Sequence, residues 1–177
     1  MYYVANFYMP YEKAYGIQVA KMCEALVEEG ADLTLVVPTR GPQTSLKEFY
    51  GLRVDIPTLW LPTLDLAEYD RFGYFCMSLS FSISYTLFLW FKLLTGERFA
   101  VYTIDADRYS SSALSFVPRP VFSEMHGSKV RTFASRLLFW RLCGIIAINR
   151  IIIEDLKKTF PRSPARYIAE PNGVDLA

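Results

Sequence analysis

Tyr2-Tyr3-Val4-Ala5-Asn6, then Ile17 to Glu29, then Leu33-Thr34-Leu35-Val36-Val37 decide the fold, because in that order they read strand, helix, strand. The first run is short and apolar, as a buried strand is. In the second, Gln18, Lys21, Glu24 and Glu28 fall on one helical face and Ala20, Cys23 and Val27 on the other. Gly30 ends that helix and Pro38 stops the second strand. A polar and aromatic loop, Phe7 to Tyr15, separates the first strand from the helix.

The alternation continues outward from this unit. Residues 39–62 read as loop-rich, with an edge strand near Thr58 to Leu61. A long apolar helix is predicted from Phe72 to Leu94, a strand over Phe99 to Ile104 and a helix over Asp107 to Phe116. Then come a strand at Pro120 to Glu124 and a basic helix at Ser128 to Leu142. Gly144 to Ile148 reads as a strand, Ile151 to Phe160 as a helix and Arg166 to Ala169 as a last strand. Strands alternating with helices predict an α/β fold: a Rossmann-like, doubly wound parallel sheet with helices on both faces. Residues 1–170 form one domain in this reading. The Pro171-Asn172-Gly173 turn opens a linker over 171–177, leading to a second domain that the chain lacks.

Composition fits a folded domain, with 52% hydrophobic and 21% charged residues. The net charge of +1 hides an asymmetry. Residues 1–124 carry 10 basic and 14 acidic side chains, and residues 125–177 carry 9 basic and 4 acidic. By charge alone such a basic third can attract phosphates, acidic membrane surfaces or nucleic acid, or is simply a set of solvated helix faces. No nucleic-acid partner is expected. Cys23, Cys76 and Cys143 are odd in number, far apart and set among apolar residues, so each is expected to be a buried reduced thiol. That usage, with no secretory signal visible, fits a cytoplasmic protein. Between Arg71 and Lys92 no residue is charged, a length that could cross a bilayer. Tyr74, Ser78, Ser82 and Tyr85 form a weak polar stripe there, which suits a helix packed in a globular domain or lying on a membrane surface. Peripheral membrane contact is thus a second expectation.

Ligands in doubly wound sheets bind beyond the carboxyl ends of the strands. Neither a G-x-G-x-x-G fingerprint nor a G-x-x-x-x-G-K-[ST] loop occurs in the chain. After the first strand, Gly16 sits where a helix begins. Its missing side chain would let a phosphate approach unpaired amides, or would serve chain direction alone. The one histidine, His126, follows a strand directly within Ser123-Glu124-Met125-His126-Gly127. An imidazole there can bond a sugar hydroxyl or phosphate, act as a base, or satisfy a backbone group. Glu124 lies two residues before it and would share its side of the strand, and Lys129 and Arg131 could offset phosphate charge. Asp105 and Asp107 follow another strand. They would accept bonds from sugar hydroxyls or cap a helix, and no metal site is expected of them.

These motifs together resemble a known family. Glu12-Lys13-Ala14-Tyr15-Gly16-Ile17-Gln18-Val19, Glu29-Gly30, Leu35-Val36-Val37-Pro38, Val101-Tyr102-Thr103 with Asp105, Glu124-Met125-His126-Gly127 and Pro171-Asn172-Gly173-Val174-Asp175 occur in the order found in family 4 glycosyltransferases. The resemblance implies the amino-terminal half of a GT-B fold, two Rossmann-like domains facing across a cleft. It implies transfer of a hexose from a nucleotide-sugar to an acceptor hydroxyl with retention, and no cofactor or metal. His126 would be the catalytic residue and Gly16 would bind the donor phosphate. Gln18, Asp105, Arg108, Glu124 and Lys129 would be acceptor-side residues. The missing carboxyl-terminal domain would hold most of the donor, so this chain alone would be inactive. Tyr15-Gly16 stands where many relatives have two glycines, Ala31-Asp32 where Gly-His is common, and Ile104 where relatives often carry arginine. The alternative is a stand-alone, non-enzymatic binding or membrane-docking module.

Overall fold

The computed structural model describes residues 1–40, 43–66, 71–104 and 110–171. Seven strands form one parallel sheet: β1 (Tyr2–Val4), β2 (Thr34–Pro38), β3 (Thr58–Leu61), β4 (Val101–Ile104), β5 (Val121–Met125), β6 (Leu142–Ala147) and β7 (Arg166–Ala169). Their order is β3-β2-β1-β4-β5-β6-β7. The chain winds outward from β1 in one direction, then returns and winds in the other. Right-handed crossovers then place the helices of the two windings on opposite faces, as a doubly wound sheet requires. On one face lie α1 (Ala14–Glu28) and α2 (Leu46–Tyr50), closing a core with Tyr3, Leu35, Val37 and Tyr102. On the other lie α3 (Arg71–Leu94), a 3-10 segment (Ser110–Phe116), α4 (Phe133–Arg141) and α5 (Arg150–Thr159), packed on Val4, Val36, Val101, Val121 and Ile145. The predicted fold class is the observed one.

Several local expectations shift. The helix expected at Ser128 begins only at Phe133, because Thr132 and Ser135 cap each other reciprocally and fix the start there. Residues 110–116 form a 3-10 helix, where the Ser115 hydroxyl donates to the Ser112 carbonyl and competes with the main-chain ladder. The loop-rich stretch contains α2, capped by the Ser45 side chain and ended by Gly51 in the left-handed region. Glu24 does not join a solvated face: it is buried and held by Lys21 at 3.0 Å and by the Arg53 amide. Burial alone would raise its carboxyl, but the Arg53 amide and the Lys21 and Arg53 cations together hold it below the ordinary glutamate value. Of the cysteines only Cys23 is buried; Cys76 is half-buried. Cys143 is exposed at the register shift between β5 and β6.

The long helix packs within the domain, one of the two expectations for its polar stripe. Its polar stripe faces inward, with Ser78, Ser82 and Tyr85 all buried. Asn6 Nδ2 donates to Ser78 Oγ at 3.1 Å, Ser82 Oγ donates to the Ser78 carbonyl at 2.7 Å, and the Tyr85 hydroxyl donates to the Ser110 carbonyl. A helical hydroxyl can use a carbonyl of its own preceding turn, which makes its burial inexpensive.

Candidate functional site

The sheet itself builds the site. Pairing registers Tyr3 with Tyr102 and Tyr102 with Phe122, so with period two Glu124 falls on the α1 side of β5. A carboxylate inside a parallel strand must find donors, and four side chains reach it. Tyr3 and Tyr102 donate their hydroxyls to Oε2 at 3.4 and 3.3 Å. Gln18 Nε2, from the first turns of α1, donates to Oε1 at 2.9 Å, and His126 Nε2 lies 2.7 Å from the same oxygen. Gln18 Nε2 and His126 Nε2 are 3.1 Å apart. Glu124 is 3% exposed, so the cluster is a closed floor with the imidazole as its upper edge.

The electrostatics follow from that burial. Desolvation, then the Glu124 charge, pushes both Tyr3 and Tyr102 well above the usual phenol value, so both remain donors. The same two causes raise the Cys23 thiol and leave it unreactive. Because a carboxylate only accepts, the 2.7 Å contact places a proton on His126 Nε2. Nδ1 makes no hydrogen bond to the described residues and is the nitrogen left for a ligand.

Tyr15 links this cluster to an open cavity. Its ring lies 5.6 Å from the imidazole, centroid to centroid, and it also lines a space of about 420 Å³ with Phe7, Tyr8, Tyr11, Tyr74 and Arg40. Burial, then Glu124, raises the Tyr15 phenol. Tyr8 and Tyr11 pack edge to face at 4.7 Å, and the Arg40 guanidinium sits 5.5 Å over the Tyr8 ring. Such a wall takes flat or apolar groups and offers hydroxyls at its rim.

Gln18, Glu124 and His126, singled out in the sequence, are therefore brought together. Gly16 lies two residues before Gln18 on α1, but not as an open approach for phosphate. A side chain there would run into the Tyr11 carbonyl and the Tyr50 hydroxyl. The space is filled by this chain, because Tyr50 of α2 bonds both the Tyr11 amide and carbonyl and pins the loop down. Lys129 is half-buried beside a separate, serine-rich hollow of about 150 Å³, and burial pulls its amine down to about 8. Asp105 and Arg108 lie outside the described residues. Among the described residues no three His, Cys, Asp or Glu side chains gather into a metal-binding group. Tyr3 and Tyr102 were missed as partners. The available signal was an acid within the apolar run Val121–Met125, which requires donors from neighbouring strands.

No protein-family model matches the sequence, and no curated protein is similar to it in sequence. Solved structures are similar in fold. Phytolacca americana UGT2, solved with UDP-2fluoro-glucose and pterostilbene, is 14% identical with a TM-score of 0.62, over 98% of this chain and 53% of that one. A UDP-glucosyltransferase from Polygonum tinctorium capable of glucosylating indoxyl is 15% identical with a TM-score of 0.60, over 98% and 52%. Sucrose-phosphate synthase from Thermosynechococcus elongatus is 11% identical with a TM-score of 0.59, over 99% and 91%. The chain spans about half the length of the two plant enzymes. Its fold is that of the Rossmann-like amino-terminal half of GT-B glycosyltransferases.

Proposed function

We propose that this chain is the acceptor-side half of a glycosyltransferase that moves a hexose from a nucleotide-sugar to an acceptor hydroxyl. One observation carries the reading: the Gln18–Glu124–His126 cluster sits at the carboxyl edge of the sheet beside an aromatic cavity. The acceptor lies against Tyr8, Tyr11 and Tyr15. His126 Nδ1 meets the transferring sugar or the attacking hydroxyl, while Glu124 fixes the ring and offsets positive charge on it. Asp105, Arg108 and Lys129 are assigned to the acceptor side on the family resemblance alone. In the reaction the bond from the anomeric carbon to the phosphate oxygen breaks and that from the acceptor oxygen forms. The hydroxyl proton leaves with the diphosphate or a base. The donor is held mainly by a second Rossmann-like unit, so residues 1–177 alone turn over nothing. We assign the protein to the cytoplasm, without a metal or other cofactor.

Retention, in the manner of family 4, is the first stereochemical reading. The 2.7 Å Glu124–His126 contact favours a second: an imidazole oriented by a carboxylate is built to take a proton, which suits single displacement with inversion. The chain joined to its donor-binding half should consume one nucleotide-sugar from a panel, and proton NMR of the first product assigns its anomer. Consumption of none, or transfer by residues 1–177 alone, would refute the proposal.

A further inference from the structure

The outer face of α3 is a row of exposed apolar side chains with almost no polarity. Phe72, Phe75, Leu79, Ile83, Leu87, Trp90, Phe91 and Leu94 are all exposed, from 40% for Phe75 and Trp90 to 79% for Leu94. They recur every three or four residues and run the length of a 24-residue helix, about 36 Å. The charges of the helix, Arg71 and Lys92, stand near its two ends. Eight large apolar groups on one helix exceed the scattered exposure normal for a soluble surface.

The same layer is basic beside that face. Both α3 and α4 pack against the 3-10 segment. On α4, Phe133, Arg136 and Trp140 share the outward stripe. With Arg131 and Arg162 they line an open hollow of about 610 Å³. Over residues 71–141 there are nine basic and four acidic side chains, and one of the acids, Glu124, is buried in the site described above.

We infer that the α3–α4 layer docks on an anionic lipid bilayer, lying on it rather than crossing it. α3 is long and apolar enough to span, but its inner face is committed to the protein core through Phe81, Tyr85 and Leu89. The outer stripe enters the acyl boundary. Trp90 and Trp140 sit at headgroup depth, and Arg131, Arg136 and Arg162 meet lipid phosphates. A second copy is the poorer fit. A two-fold contact sets a patch against itself, and the hollow lined by Arg131, Arg136 and Arg162 offers, among the described residues, no acid to answer them. The inference is independent of the sugar-transfer reading, since docking needs neither donor nor acceptor.

The test is flotation of the chain with vesicles of phosphatidylcholine alone and of phosphatidylcholine mixed with phosphatidylglycerol. Binding to the mixed vesicles is expected, falling with salt. Ile83→Ser with Leu87→Ser should weaken it by about tenfold or more. Arg131→Gln with Arg136→Gln should weaken it by about tenfold. In the unmodified chain, brominated lipid should quench part of the tryptophan emission, a readout that needs no variant. The inference is overturned if the chain stays with the unbound protein, if binding ignores both pairs of substitutions, or if the outer face instead forms a dimer that Ile83→Ser and Leu87→Ser dissociate while vesicles remain unbound.

Discussion

Helices α1 and α3 lie on opposite faces of one sheet and use polarity in opposite senses. α1 turns Val19, Ala20 and Cys23 inward, and the one acid it buries, Glu24, is held by Lys21 and Arg53. α3 turns a row of hydroxyls inward and leaves its apolar row bare. The difference shows what governs which face is buried. A carboxylate requires partners from elsewhere in the fold, whereas a serine on a helix satisfies itself with the carbonyl one turn back. Periodicity therefore identifies the helix without identifying its inner side. The site belongs to the α1 face, and the candidate lipid contact to the α3 face.

The widest separation should appear within α3. Phe81→Ala empties a fully buried position and should cost about 3–5 kcal/mol, whereas Ile83→Ser, two residues on, should change stability by about 0.5 kcal/mol or less. Urea unfolding of the two variants reads this directly, and similar costs would mean that the outer face is covered. On the α1 face, Gly16→Ala drives a methyl group into the Tyr11 carbonyl and should cost about 3 kcal/mol in the same experiment. Glu124→Gln should cost about 2 kcal/mol, since an amide cannot accept from Tyr3, Tyr102, Gln18 and His126 together.

Among the polar positions, the smallest effect is expected at Glu24. Glu24→Gln should cost about 1 kcal/mol at neutral pH. Because the folded carboxyl is held below its ordinary value, its stabilisation is present above the unfolded value and is lost as pH falls through the folded one. The gap between wild type and variant should therefore narrow as thermal melts are repeated at lower pH. A gap that stays constant would remove Glu24 from the acid response.

Much of the fold was legible because β1, α1 and β2 speak the same local language: apolar runs, one amphipathic helix, and Gly30 and Pro38 as stops. What failed to show was set by distant partners. α2 hides in five residues, though Ser45 three before Glu48 was a capping signal. Gly16 looked like an opening because the loop that fills it comes from residues 11 and 50, which only the fold brings together. Of the site, Glu124, His126 and Gln18 could be found from strand ends and spacing. Tyr3 and Tyr102 could not, since their role depends on the parallel register that aligns β1, β4 and β5.

Sugar transfer measured in the protein joined to its donor-binding half, for wild type, His126→Ala and Ile83→Ser side by side, tests the central claim most directly. The account predicts that His126→Ala loses about a hundredfold or more in rate while still folding, with a stability cost of about 1–2 kcal/mol from the donor lost to Glu124, and that Ile83→Ser keeps its rate in solution with a soluble acceptor. Full activity in His126→Ala would contradict it.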